Sequence, residues 1–358
     1  MIPGGDRIDI VLALDPGGAV AAAEVASSRA VTASRVLEGK APEDALRLVP
    51  LLFALCGSAQ QMAGLRAVEA ALAIRVSPRE AAARHMTVLA ETVAEHATRI
   101  LVDWPKLTGA APDMARARAV RTAAAAVQAA LYPSGGRERI GGGAAIGSAA
   151  LARAAEGLEA IVAEALPLAE ATAACAPDLA VPALPPLPVG LDPAWLGARM
   201  DDPAFLGAPE GPDGTVFETG PAARSSGAAD LAGRFGARLA EARLLAREIV
   251  ELACESGYTD ALGESASASL GGGRGLGAVE AARGRLVHTV DIVEGRIARY
   301  RILAPTEWNF HPRGALGVAL DGLLGRPAGE AEEAAQWIVA ALDPCVACEV
   351  STREASHA

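Results

Sequence analysis

The hydrophobic residues of this chain change their spacing near residue 41, and this change limits the folds that the chain can adopt. Apolar and polar side chains alternate over residues 7–15 (RIDIVLALD), Pro16-Gly17-Gly18 provides a turn, and residues 19–26 supply a second extended segment. Alternation of this kind is typical of strands that bury one face. We therefore predict an N-terminal β-hairpin within residues 1–27.

Beyond residue 41 the apolar residues recur at helical spacing, which predicts helices over most of residues 41–175. Ser77-Pro78-Arg79-Glu80 indicates one helix start, because Ser is a favoured N-cap and Pro is tolerated at the first helical position. The composition agrees with this pattern, since 51% of the 358 residues are hydrophobic but only 3% are aromatic. Such a composition favours Ala-rich helices that pack closely.

The second half of the chain predicts one long helix and a second hairpin. A Pro- and Gly-rich connector covers residues 181–215, and a helical pattern follows over residues 227–257. Residues 285–292 and 296–303 are predicted strands joined by a turn, and this hairpin and the loop after it occupy residues 277–314. We expect a single α+β domain, mainly a helical bundle with hairpins at the N-terminus and in the C-terminal half.

Charge and the distribution of apolar residues exclude several classes of partner. The formal net charge of −11 argues against a nucleic-acid-binding surface. Asp6 and Arg7 stand where the apolar region of a secretory signal would begin. The apolar runs elsewhere contain Glu and Arg too often to span a bilayer. We therefore expect a cytoplasmic protein with neither nucleic acid nor membrane as a partner.

Two cysteines near the C-terminus, Cys345 and Cys348, are spaced like a metal or redox pair within residues 343–348 (DPCVAC). Asp343 and Pro344 are suited to the N-cap and first position of a helical turn. In such a turn, side chains three residues apart share one face, so both sulfurs would point the same way. From the spacing alone, metal binding, redox chemistry and a merely exposed pair all remain open.

The other three cysteines are scattered along the chain, at Cys56, Cys175 and Cys254. An odd number of widely separated cysteines in a chain of this size does not form a disulfide framework. Cys175 and Cys254 occur in helical contexts, and we expect them to be structural.

Four motifs, in order along the chain, resemble segments of the large subunit of nickel–iron hydrogenases and its relatives. Residues 277–284 (GAVEAARG), continued by residues 304–314 (APTEWNFHPRG), resemble one of them, and residues 218–224 (ETGPAAR) resemble a second. The third is the D-P-C-x-x-C motif of residues 343–348, which matches at every fixed position. The fourth lies near the N-terminus, where Cys56 with the Gly after it resembles part of the family motif C-G-x-C. This resemblance implies the fold of the hydrogenase large subunit.

In the enzymes of this family four cysteines hold nickel and iron, and the resemblance places Cys56, Cys345 and Cys348 on three of these positions. The fourth position is Ala59, which cannot replace a thiolate because soft metal ions need sulfur donors. Ser34 stands where the family has a proton-transfer Glu. The histidine at which the enzyme precursor is cut corresponds to Ser351.

These departures make the chain most similar to the HupK/HoxV type of hydrogenase maturation proteins. That similarity implies a scaffold or carrier for the Fe(CN)2CO fragment of the active site, held by the thiolates of Cys56, Cys345 and Cys348. It implies a scaffold without catalysis of its own, and it leaves open whether nickel also binds. The implied partners are other hydrogenase maturation proteins and the hydrogenase large subunit. A catalytic large subunit and a metal-free docking module with the same fold are the alternatives.

Two further residues are predicted to lie beside the metal-binding cysteines. Arg283 matches the family arginine that overhangs the metals, and its fork of N–H donors suits hydrogen bonds to cyanide. Asp343 is expected either to form a hydrogen bond within the site or to cap the turn. His288 is expected to be a hydrogen-bonded histidine within a strand, without a role as a metal ligand.

Overall fold

The computed structural model describes residues 7–166, 170–225, 228–255 and 267–354. Seven strands and fourteen α-helices occur within these ranges. The strands are β1 (Arg7–Leu14), β2 (Val20–Ser27), β3 (Ser267–Gly271), β4 (Arg274–Ala281), β5 (Gly284–Val293), β6 (Arg296–Leu303) and β7 (Ala347–Glu354). The helices are α1 (Pro42–Leu52), α2 (Gly57–Ala71), α3 (Pro78–Thr98), α4 (Trp104–Leu107), α5 (Met114–Leu131), α6 (Ala149–Ala165), α7 (Glu170–Ala174), α8 (Pro193–Arg199), α9 (Pro203–Gly207), α10 (Pro221–Arg224), α11 (Leu231–Cys254), α12 (Pro305–Asn309), α13 (Ala315–Asp321) and α14 (Ala328–Leu342).

A helical bundle of α3, α5, α6 and α11 contains the largest apolar cluster. Helix α3 begins where the sequence predicts it, with the Ser77 hydroxyl accepting the backbone N–H of Glu80 and Pro78 at the first position. Six of the sixteen buried residues of α3 are Ala, and α3 packs against both α5 and α11. Trp104, Phe235 and Trp337 form edge-to-face contacts within the same cluster. The predicted Ala-rich bundle is thus confirmed.

The N-terminal hairpin forms part of a three-stranded sheet in the order β2-β1-β7. Strand β1 is antiparallel to β2 and parallel to β7, with Ile8 opposite Ser27 on one side and Cys348 on the other. The alternation of β1 buries Ile8, Ile10 and Leu12 in the main core. The hairpin was predictable from this alternation, but the addition of the C-terminal strand was not.

The helical turn predicted at residues 343–348 is wrong. Asp343 ends α14 as its C-cap, with a left-handed φ of 51° and its backbone N–H donated to the Val339 carbonyl. The following residues leave the helix and enter β7, because the open edge of β1 offers hydrogen-bond partners for an extended chain. As a result Cys345 lies in a loop, while Cys348 lies on a strand.

A second sheet, in the order β3-β4-β5-β6, packs against α2. Its β5–β6 hairpin is the one predicted from the sequence, whereas β3 and β4 were not predicted. Gly275 and Gly277 of β4 lie so close to α2 that an added Cβ would collide with the Ala67 and Ala63 carbonyls. This close approach brings β5 and β6 within side-chain reach of the N-terminal half of α2.

Helices α1 and α2 meet at a sharp bend just before Cys56. Among the described residues, no single helix is long and apolar enough to cross a membrane. The helical runs Pro42–Leu52 and Ala54–Ala71 pass that test of length and composition only as a pair, and they are bent by 97°. Most side chains of α2 are buried within the protein.

Candidate functional site

Cys56 and Cys345, which come from opposite ends of the chain, line one cavity of about 220 Å³ that we call the thiol cavity. The short turn before α2 supplies Cys56, and the loop between α14 and β7 supplies Cys345. Arg283, from the turn between β4 and β5, and Gln60, from the first turn of α2, also line the thiol cavity. The fold therefore joins two of the three predicted cysteine ligands with the predicted arginine.

Cys56 is the partly buried residue that precedes α2. Burial raises the pKa of its thiol to about 12, and the nearby charges of Glu91 and Cys345 act in the same direction. The N-terminus of α2 does not offset this rise in the pKa of Cys56, because its N–H groups at Ser58 and Ala59 already donate to the Glu91 carboxylate, at 2.7 and 2.8 Å. Arg283 and the Gln60 amide, 3.6 Å from the sulfur, favour the thiolate. In the absence of a bound metal Cys56 is therefore a thiol at neutral pH.

The sulfur of Cys345 is surrounded by hydrogen-bond donors. Arg29 Nη1 donates to it at 2.7 Å, and the Thr306 hydroxyl donates at 3.1 Å. Arg29 Nε lies 2.9 Å from the buried carboxylate of Glu307. The sulfur of Cys345 therefore has one cationic donor and one hydroxyl donor beside it on the wall of the thiol cavity.

Arg283 is buried and held by two carboxylates. Its Nη2 lies 3.3 Å from Glu95 Oε2 and 3.4 Å from Asp343 Oδ1. Burial would lower the pKa of Arg283, but the charges of Asp343, Glu95 and both cysteines outweigh it and raise the pKa. The guanidinium is therefore a permanent cation at the wall of the thiol cavity.

Asp343 lies behind this arginine, at the centre of three guanidinium groups. Arg238 Nη1 lies 2.6 Å and Arg99 Nε 2.9 Å from its carboxylate, in addition to Arg283. Burial alone would raise the pKa of Asp343, but the three positive charges hold it well below its ordinary value. Asp343 contacts Arg283 in the site, whereas the predicted cap of a turn at 343–348 is replaced by a different role, the C-cap of α14.

Cys348 does not join the other two cysteines. It faces the main apolar cluster from β7, and burial together with the charge of Asp9 raises its pKa to about 11. The predicted grouping of Cys56, Cys345 and Cys348 came from the family resemblance, and in this structure Cys348 does not line the thiol cavity with the other two. Within the ranges that the structure describes, no group of three or more His, Cys, Asp or Glu side chains is placed to hold a metal ion.

At two positions where the chain departs from the enzyme pattern, Ala59 offers no thiolate to a metal and Ser34 offers no carboxylic acid for proton transfer. The methyl group of Ala59 is buried, and its backbone N–H is bonded to Glu91. The Ser34 hydroxyl donates to the Tyr300 carbonyl at 2.8 Å.

Cys175 and Cys254 are free and exposed. Their exposure gives no support to the expectation that they are structural residues.

Sequence reasoning missed Arg29, Gln60 and Thr306 as residues that contact the two sulfurs. Thr306 belongs to a recognised motif, residues 304–314, and that motif was the available signal. Arg29 carried no signal, because it lies 316 positions from Cys345 in the chain. His288 was correctly predicted, since it lies on β5 with both ring nitrogens hydrogen-bonded.

The class of protein follows first from the fold. A Ni-Fe-Se hydrogenase from D. vulgaris Hildenborough matches with a TM-score of 0.66 and 18% identity, covering 95% of this chain and 98% of that chain. An NAD+-reducing NiFe hydrogenase matches with a TM-score of 0.62 and 18% identity over 93% and 94% of the two chains. The protein has the α+β fold of the hydrogenase large subunit, as its motifs predict.

Sequence comparison then identifies the family. The profile of the nickel-dependent hydrogenases matches residues 222–351. Hydrogenase expression/formation protein HupK of Rhizobium leguminosarum bv. viciae is 34% identical over 351 residues, which cover 91% of each chain. Protein HoxV of Cupriavidus necator, which carries the same description, is 31% identical over 92% of this chain and 93% of its own. The chain belongs to this family of hydrogenase expression/formation proteins.

Proposed function

We propose that this protein acts in the maturation of nickel–iron hydrogenase as a scaffold or carrier that holds the Fe(CN)2CO fragment in the thiol cavity. The observation that supports this most directly is the convergence of Cys56, Cys345 and Arg283 on one cavity. The relatives named as hydrogenase expression/formation proteins support the same role. The fragment is cargo here, and a transient carrier needs fewer ligands than the final site.

The residues that line the cavity suit this cargo chemically. Iron that carries cyanide and carbon monoxide is soft enough to prefer sulfur donors, and Cys56 and Cys345 supply two. The guanidinium of Arg283 is a suitable donor to the nitrogen of a bound cyanide. Asp343 and Glu95 hold this guanidinium in place. Cys348, the third ligand implied by the family resemblance, stays a prediction, because its sulfur would have to leave the apolar face of β7 to reach the cavity.

Hydrogen turnover is not part of the proposal. A second bridging thiolate is missing at Ala59, and no carboxylic acid stands at Ser34 to transfer protons. We therefore propose that the cavity holds iron without nickel. We also propose that the protein works in the cytoplasm, that other hydrogenase maturation proteins supply the fragment, and that the hydrogenase large subunit receives it.

Infrared spectroscopy with metal analysis tests the proposal on protein purified from a host that matures hydrogenase. Bands of bound cyanide and carbon monoxide together with iron, and without nickel, are the expected result. An equal amount of nickel would instead support a catalytic large subunit. Repeated preparations without these bands would refute the carrier and leave a docking module.

Cysteine variants then test the assignment of ligands. Cys56→Ala and Cys345→Ala should each abolish the bands, whereas Cys254→Ala, which removes an exposed thiol, should leave them at full intensity. Full intensity in either of the first two variants would reject the ligand assignment. Loss of the bands in Cys348→Ala, with an unchanged melting temperature, would show that the C-terminal strand moves to deliver a third thiolate.

A further inference from the structure

A chain of buried hydrogen bonds leads from β6 to the sulfur of Cys56. The Tyr300 hydroxyl lies 2.9 Å from His288 Nδ1, and His288 Nε2 lies 2.9 Å from Gln60 Oε1. Gln60 Nε2 lies 3.6 Å from Cys56 Sγ. Tyr300 and His288 are fully buried and Gln60 nearly so. Such a set of polar groups needs a reason, because it occupies space that apolar side chains fill at lower cost.

The direction of each hydrogen bond follows from the chemistry of its partners. With the Gln60 amide nitrogen towards the sulfur, its oxygen faces His288 and can only accept, so His288 Nε2 must carry the hydrogen. Burial lowers the pKa of His288 to about 3, so the ring is neutral and Nδ1 is an acceptor. Nδ1 then takes the hydroxyl hydrogen of Tyr300. All three bonds are directed towards Cys56.

Helix α2 leaves space for this series of hydrogen-bonded side chains. Gly64 lies one turn after Gln60, and a Cβ at this position would stand 2.5 Å from the Tyr300 hydroxyl oxygen and 3.5 Å from His288 Nδ1. The absence of a side chain there lets the tyrosine and histidine from two strands reach the helix that carries Gln60. Three elements therefore contribute to one line of contacts that ends at the sulfur.

We propose that Tyr300, His288 and Gln60 are positioning residues that keep an N–H donor directed at Cys56 and so limit how strongly its sulfur donates electrons to the iron. This inference rests on the proposed function as far as the iron is concerned. A hydrogen bond to a thiolate stabilises charge on the sulfur, and such outer contacts tune the bound metal. Tyr300 controls the direction, because without its hydroxyl the ring is free to place its hydrogen on Nδ1 and Gln60 is free to turn its oxygen to the sulfur.

Nitrogen-15 NMR of the histidine side chains in the metal-free protein tests the direction without any cargo. The His288 signals, assigned by their loss in His288→Gln, should show hydrogen on Nε2 and none on Nδ1, unchanged over about pH 5 to 8. In Tyr300→Phe the other tautomer should become populated. A ring with its hydrogen on Nδ1 in the wild type, or a doubly protonated ring, would overturn the inference whatever the cavity binds.

Infrared spectra of the loaded protein test the effect on the sulfur. Gln60→Leu should move the carbonyl band to lower wavenumber, because a more strongly donating sulfur strengthens back-donation from iron to carbon monoxide. Tyr300→Phe should move it in the same direction by less, and Tyr132→Phe, a buried tyrosine bonded to Glu80, should not move it. An unmoved band in Gln60→Leu and Tyr300→Phe would also overturn the inference. A wild type without bands would refute the carrier but leave the NMR result to decide the hydrogen-bond direction.

Discussion

Replacing Asp343 by Asn removes one negative charge from the centre of three buried or partly buried guanidinium groups. The carboxylate is 5% exposed, and its partners are Arg99, Arg238 and Arg283. The substitution conserves shape, and Asn tolerates the left-handed backbone at this position. Any loss of stability therefore reports on charge and not on packing or backbone strain.

The structure sets the size of the expected loss. Arg99 keeps a second carboxylate, Asp103, and Arg283 keeps Glu95. Arg238, in contrast, has no other carboxylate partner among the described residues, so it alone is left buried without a counter-charge. Removing one partner of a buried pair costs about 3–5 kcal/mol. Since only one cation is left unpaired, we expect a loss near the lower end, about 3 kcal/mol at neutral pH.

Urea unfolding followed by circular dichroism measures this loss. Asp103→Asn is the matched control, because Asp103 contacts Arg99 and Lys106 but is 31% exposed, and such pairs contribute at most about 1 kcal/mol. A loss in Asp343→Asn no larger than in Asp103→Asn would refute the view that the carboxylate holds the arginines together. It would also remove the structural basis for the fixed orientation of Arg283.

Acid titration gives a second check on the same residue. The pKa of Asp343 in the folded protein lies below its ordinary value of 3.8, so its stabilising effect is complete above that value and is lost as the pH falls through the folded-state pKa. The difference in unfolding free energy between wild type and Asp343→Asn should stay constant from neutral pH to about pH 4 and shrink only below it. A difference that shrinks already near neutral pH would contradict this assignment.

Three further predictions concern other parts of the fold. Gly277→Ala should lower stability by about 1–3 kcal/mol, since the new methyl group meets the Ala63 carbonyl, and an unchanged melting temperature would refute the close approach of β4 to α2. Cys56 should react with iodoacetamide at pH 8 far more slowly than exposed Cys254 in mass spectrometry, because burial raises the pKa of Cys56 to about 12. Equal rates would contradict this effect of burial on the Cys56 thiol. Glu80→Gln should lower the free energy of unfolding by about 1–3 kcal/mol, because the Glu80 carboxylate accepts the backbone N–H groups of Gly143 and Ala144 in a glycine-rich loop. An unchanged stability in thermal unfolding would show that these hydrogen bonds do not hold the loop.

The parts of the fold that sequence reasoning predicted depend on contacts between near neighbours. The Ser77 side chain caps α3 by accepting the N–H of a residue three positions later, and the alternation that predicts β1 lies within eight consecutive residues. The β5–β6 hairpin closes through a short turn. Strands β3 and β4 were missed because β4 is rich in glycine, which weakens the strand pattern, yet those glycines are what allow it to lie against α2.

In the candidate site too, residues in local motifs could be predicted, whereas contacts between distant parts of the chain could not. Cys56, Cys345, Arg283 and Asp343 could be named because they belong to local motifs whose order resembles a known family. Their donors could not, because Arg29 and Thr306 reach Cys345 across 316 and 39 positions of sequence. The separation of Cys348 from the other thiols was equally hidden, since it follows from a strand pairing and not from the motif.

By itself, the sequence determined the helical pattern of the bundle, the N-terminal and β5–β6 hairpins, the missing thiol at position 59, and the resemblance to the family. Only the tertiary structure decided that Asp343 ends a helix instead of starting one, and that Cys348 packs against the main apolar cluster instead of lining the thiol cavity. The physical reason is that backbone hydrogen-bonding groups must be satisfied. The edge of β1 satisfies those of residues 347–354 from more than 300 positions away, and no local pattern records that partner.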